Sequence, residues 1–262
     1  MFKSEEYIDI EKRIVELKDE ITDNIVEIPY LKMIKGFEVY AAYVHNIGIY
    51  EMRELKAQIK EAKAKYKLEY IQLCKKEKIP MDIKYMNASI SKACAEDVER
   101  LAAMTSDITM IKNAEECRNV DSDQELNKKN YKYIIKSIHP DVKENAGPED
   151  FKVLAIATDY YEGEEDDKLQ EVVDLMHTKK AYVEPTVDLE SLKKRYAKLY
   201  NRNQRFLKVI NTLQTNFPLS KEELVSDKVE VKRIQKMLIN SEKRLLENEK
   251  KMQEKIKENK NT

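Results

Sequence analysis

LKKRYAKLYNRNQRFLKVINTLQTNF, Leu192 to Phe217, is the stretch on which the fold turns. Leu192, Tyr196, Leu199, Asn203, Phe206, Ile210, Leu213 and Phe217 recur at alternating spacings of four and three, which sets them on one stripe of an α-helix. Such a seam needs a second helix to cover it. Beyond Phe217-Pro218, the run Ser220-Lys-Glu-Glu223 reads as a capping box that opens a return helix to about Lys257. Folding the two back to back pairs Ile210 with Ile234, Phe206 with Leu238 and Leu199 with Leu245, and brings the polar pair Asn203 and Ser241 together. The segment 187–262 is therefore expected to be an antiparallel coiled-coil hairpin whose buried asparagine fixes the register.

The same device is expected upstream. A first amphipathic helix runs from about Ser4 to Ile28 and is expected to stop at Pro29, since proline lacks the amide and crowds the preceding turn. Pro80 then divides two longer patterns, Leu31 to Lys78 and Met81 to Cys117. Read as an antiparallel hairpin, they match Leu73 with Ile83, Tyr70 with Met86, Leu55 with Leu101 and Met52 with Met104. This makes 1–120 an N-terminal helix followed by a long helical hairpin.

Composition agrees with an all-α chain: 37% of the 262 residues are charged and 42% hydrophobic, there is no tryptophan, and only four residues are glycine. No two glycines lie within ten residues of each other, which excludes the glycine-rich phosphate loops of nucleotide-binding α/β enzymes. Cys74, Cys94 and Cys117 show no metal-ligand spacing, and their odd number fits reduced thiols in a cytoplasmic protein. Charges at Lys3, Glu5, Glu6 and Asp9 exclude the apolar core of a signal peptide near Met1, and no membrane span is expected. The net charge of −1 hides an asymmetry, with 19 Lys/Arg against 11 Asp/Glu from Val187 onward.

Between the hairpins, 121–180 has a different character. Ser122-Asp-Gln-Glu125 reads as a capping box for a helix through Tyr131, Ile134, Ile135 and Ile138, which stops at His139-Pro140-Asp141. Gly147-Pro148 suits the start of a second helix bearing Phe151, Leu154, Ala157 and Tyr161, and Gly163 its end. Lys128, Lys129, Lys132 and Lys136 make the first of these helices basic.

Those residues resemble a J-domain, the module by which DnaJ-type co-chaperones engage DnaK-type (seventy-kilodalton heat-shock) chaperones. The likeness lies in the basic helix with Tyr131 eight residues before His139, in the His-Pro-Asp loop itself, and in the Phe151, Leu154 and Ala157 steps of the second helix. The family's first short helix is absent upstream, so the tail of the Met81 to Cys117 helix would have to cover that face. Thr158 stands where the family has a tyrosine, and the Gly/Phe-rich linker and zinc module are missing. The resemblance implies that Asp141 pairs with an arginine of the chaperone, that the lysines meet its acidic surface, and that His139 and Pro140 shape the loop. On that reading Asp141 is exposed, its packing neighbours Tyr131, Ile135, Phe151 and Leu154 do not depend on its charge, and Asp141→Asn leaves folding nearly unchanged.

The expected chemistry is contact rather than catalysis, with no cofactor and no metal. The overall expectation is two long antiparallel helical hairpins flanking a J-domain-like helix-loop-helix core, with a coiled-coil arm choosing a client protein. Two rivals stand beside it: a structural or adaptor coiled-coil protein whose His-Pro-Asp is a turn, and weak, salt-sensitive nucleic-acid binding through the basic C-terminal arm. Interleaved acids at Glu242, Glu247, Glu249 and Glu254 count against the last. His45, His177 and the tyrosines Tyr30, Tyr40, Tyr43 and Tyr50 are read as structural or surface groups.

Overall fold

The computed structural model describes residues 4–117, 123–143, 145–177 and 188–261, and every regular element among them is helical. The α-helices are α1 (Glu5–Pro29), α2 (Gly36–Tyr43), α3 (Ile49–Glu77), α4 (Ile83–Ala93), α5 (Ala95–Cys117), α6 (Gln124–Ile138), α7 (Pro148–Glu162), α8 (Asp166–His177), α9 (Leu189–Thr215), α10 (Glu222–Ser226) and α11 (Lys228–Asn261). None among the described residues is long and apolar enough to cross a membrane. The chain forms two compact units, each assembled from separated stretches: Met1–Val39 with Arg118–Ser220, and Tyr40–Cys117 with Lys221–Thr262. The expected segments 1–120, 121–180 and 187–262 are consecutive, whereas each compact unit draws on two separated stretches.

In the first unit, Ser4 caps α1 by accepting the Tyr7 amide at 3.2 Å. Pro29 does not end the helical path as expected. A wider π turn over Tyr30–Lys35 takes up the disruption and the backbone continues into α2. At the end of that turn the Gly36 amide bonds Leu31 O, and a β-carbon on Gly36 would lie 2.7 Å from that oxygen, so the close approach requires glycine.

The seam of α9 packs on α1. Glu6 meets Lys193, and Glu20 and Asn24 both bond Asn203, so residue numbers rise together along the two helices and they run parallel. Asn203 receives the Asn24 amide at 2.6 Å and donates to Glu20 at 2.7 Å, which corrects the expected meeting with Ser241. Within this unit it is α1, and not a return helix, that covers the α9 seam. A buried polar seam residue selects whichever partner satisfies it, and two side chains on α1 do so. Tyr196, Leu199 and Phe206 then close over a core of Leu17, Ile21 and Ile25 from α1, Ile134, Ile135 and Ile138 from α6, and Leu169 and Val173 from α8. Burying each such aliphatic side chain contributes roughly 1.5–3 kcal/mol.

In the second unit α3 is the spine. It ends at a left-handed Lys78, and α4 begins behind Asp82, which caps the Tyr85 amide at 3.0 Å, so the break expected around Pro80 stands. Contacts of Tyr70 with Tyr85 and of Thr105 with Met52 give the antiparallel course expected of this hairpin. Its tip is thinner than the apolar pairing suggested, since Leu73, Ile83 and Tyr85 are exposed. The more extensive partner of α3 is α11. Arg53 meets Glu242 and Glu61 meets Asn248, again with both numbers rising, so this pair is parallel too. The start of α11 is capped by Asp227, whose Oδ1 accepts the Val229 and Glu230 amides at 2.9 and 3.1 Å. Ser220 lies in a short turn over Leu219–Lys221, and the cap of α10 falls on Lys221, which makes no side-chain capping bond, so the expected capping box at Ser220 is not what opens the helix.

Candidate functional site

The His-Pro-Asp loop joins α6 to α7, and its geometry starts from the caps of both helices. Asp123 accepts the Leu126 amide at 3.0 Å and so begins α6 one residue later than expected, while Ser122 lies outside the described residues. Gly147 and Pro148 open α7 and Gly163 closes it, as their chemistry predicts. The two helices are locked by Tyr131, which stacks on Tyr161 at 4.3 Å and shares a 2.9 Å hydrogen bond with Thr158. Thr158 therefore has a defined role in this chain. Phe151, expected in the packing, is 49% exposed; Leu154 packs against the core instead. Within its unit the outer face of α6 is covered by α1 and α8.

Within the loop, the His139 carbonyl accepts the Val142 and Lys143 amides at 2.9 and 2.8 Å, and His139 Nδ1 accepts the Asp141 amide at 3.1 Å. Burial lowers the His139 pKa below its ordinary 6.5, Asp141 opposes that shift, and Arg202 adds to it. A neutral ring with a free Nδ1 lone pair is the form that fits the amide bond. Pro140 is exposed at the apex.

Asp141 is not exposed. Its side chain is 6% accessible, and Oδ1 lies 2.5 Å from Arg202 of α9. The arginine that the resemblance assigns to a partner is matched here by one from the same chain.

The lysines have the same fate. Lys128, Lys132 and Lys136 lie one turn apart on α6, and antiparallel to them Glu27, Asp23 and Asp19 lie one turn apart on α1. Lys128 meets Glu27 at 2.6 Å and Lys136 meets Asp19 at 2.5 Å, with Lys132 on Asp23 between them. Lys128 also rests over the Tyr30 ring at 4.5 Å. Lys129 is exposed and stands outside the ladder. The rungs are half exposed, so each adds little stability; their value lies in register and in charge matching.

Of the expected site residues, Lys128, Lys132 and Lys136 meet Glu27, Asp23 and Asp19 of α1, while Asp141 is buried against Arg202 of α9 with His139 and the exposed Pro140 beside it. The three acids carried a signal, because their four-residue spacing mirrors that of the lysines with opposite sign.

Elsewhere, His45 bonds Glu115 at 2.9 Å and the His177 ring lies tilted against that of Tyr133. Tyr43 bonds Glu51 at 3.0 Å, and burial, together with Asp107, raises the Tyr40 pKa. Cys74 and Cys94 are buried free thiols. Among the described residues no group of three or more His, Cys, Asp or Glu side chains could hold a metal ion. No family model, curated protein or solved structure matches this chain, so the J-domain likeness rests on its residues alone.

Proposed function

We propose that this chain is a J-domain-like co-chaperone for a DnaK-type ATPase, held in a closed form in which α1 and α9 occupy the face that would meet the chaperone. One observation carries the reading. The cover placed on Lys128, Lys132, Lys136 and Asp141 is an acidic stripe plus an arginine, the same chemistry that the resemblance ascribes to the chaperone. Opening the face exchanges intramolecular pairs for intermolecular ones of the same kind, so the equilibrium can be moved by small changes in the cover. The α3–α4–α5 hairpin and α11 are then available to select a client.

The burial of Asp141 favours a second reading, a structural coiled-coil protein in which the Asp141–Arg202 pair fastens α9 to the loop. ATPase stimulation separates the two. A variant carrying Asp19→Asn, Asp23→Asn, Glu27→Gln and Arg202→Gln is expected to stimulate a DnaK-type chaperone several-fold more than the native chain, and adding Asp141→Asn should abolish the gain. A folded open variant that stimulates no member of a panel of such chaperones would leave the structural reading.

A further inference from the structure

Beside the loop, α1 and α9 enclose a cleft of about 140 Å³ against Pro140, Asp141 and Val142. Arg195, Lys198 and Arg202 follow one face of α9 at helical spacing, and Lys18 reaches the same space from α1. Four cationic side chains thus converge with a single lining carboxylate, and that carboxylate, on Asp141, is held by Arg202. Lys18 and Arg195 engage other groups as well; what distinguishes the cleft is the imbalance of its own walls. Like charges brought together against low-dielectric helices focus a positive field on the space between them.

We infer that this cleft is a binding site for a phosphate or diphosphate oxyanion. The donor set fits that class. Guanidinium groups offer planar paired donors to phosphoryl oxygens, and ammonium groups add point charges around them. Size narrows the ligand further, because the space falls well below the roughly 300–1,000 Å³ of pockets that enclose whole small molecules. A phosphoryl head enters, and any organic remainder stays outside. Arg195, Lys198 and Lys18 hold the anion, while Arg202 remains on Asp141 at the margin. The site does not depend on whether the loop engages a chaperone.

The test is calorimetric titration of the full chain with sodium diphosphate, with ionic strength held constant by NaCl and no divalent cation present. Parallel titrations use ADP, adenosine and sodium sulfate. The expected result is saturable binding of one diphosphate per chain. ADP binding as tightly or more tightly would mark a nucleotide-borne source, and ADP binding more weakly would mark free diphosphate. Adenosine should give no heat, and sulfate should bind at least ten-fold more weakly. The double variant Arg195→Gln/Lys198→Gln, whose helicity is checked by circular dichroism, should weaken diphosphate at least ten-fold, whereas Lys129→Gln should leave it unchanged. If the double variant does not fold, Lys198→Gln alone should weaken binding several-fold. Non-saturating heats, equal affinity for sulfate, or native affinity in a folded cleft variant would overturn the assignment.

Discussion

The two units are built on the same device and use it differently. Each has a long helix from the N-terminal half lying parallel to one from the C-terminal region, α1 with α9 and α3 with α11. In the first unit three further helices close over that pair, and its core reaches complete burial at Ile21, Ile134, Ile135 and Leu169. In the second, complete burial is reached at Ile71 on the spine, while α4 and α5 form a thin flap on α3 that leaves Leu73, Ile79, Ile83 and Tyr85 exposed. A helix pair supplies a seam, and added layers take an ionic group further out of water. The buried carboxylate of Asp141 and the histidine whose pKa burial depresses lie in the layered unit, whereas in the second unit burial raises the pKa values of Tyr40 and Tyr43.

The sharpest way to break this contrast is to cut both cores. Ile134→Ala removes a side chain with 0% exposure and should cost about 3 kcal/mol in chemical denaturation. Leu73→Ala, at a position 53% exposed in the flap, should change stability by no more than about 0.5 kcal/mol. Similar losses at the two sites would mean that the units are not layered as described.

Ion pairs give the next contrast. Arg202→Gln strands the buried Asp141 carboxylate; because Arg202 is itself 46% exposed, the penalty is discounted from the fully buried case to about 1–3 kcal/mol. Arg53→Gln removes the corresponding cross-helix pair with Glu242 in the second unit and should cost about 0.5 kcal/mol. Thermal melts of both variants compare them directly. Asp141→Asn is likewise expected to destabilise, so its stability alone no longer separates an interaction loop from a turn.

A smaller effect concerns pH. The folded His139 pKa lies below the unfolded 6.5, so between the two values the unfolded chain binds the extra proton. The stability tied to the neutral ring is full above pH 6.5 and declines as pH falls toward the folded value. The melting temperature should therefore drop across that window, and His139→Gln should flatten the drop. An equal slope in the variant would show that other groups govern it.

Much of this architecture is legible in the sequence. The helical class, the break around Pro80, the Gly147-Pro148 start, the Gly163 stop and the apolar stripe of α9 follow from local chemistry, which acts within a turn or two. The partner of that stripe was not legible. A heptad specifies that something apolar faces it, not which helix or in which direction, and Asn203 would have been served by Ser241 or by Glu20 and Asn24 alike. The continuation past Pro29 escaped because proline's effect was read as termination, whereas a π turn with Gly36 absorbs it. At the loop, the His139-Pro140-Asp141 triplet and the lysine stripe of α6 are legible in the sequence, but the burial of Asp141 depends on Arg202, 61 residues away. A single long-range pair such as Asp141 with Arg202 leaves no periodic trace, unlike the matched four-residue spacing of the lysines on α6 and the acids on α1.

In the closed form α1 covers the basic face of α6. Cysteines placed at Asp23 and Lys132 allow the two helices to be tethered by a cleavable bismaleimide, and stimulation of a DnaK-type ATPase can then be measured before and after cleavage on one preparation. The account predicts background activity while tethered and a several-fold rise once the tether is cut. Equal stimulation in the two states would contradict it.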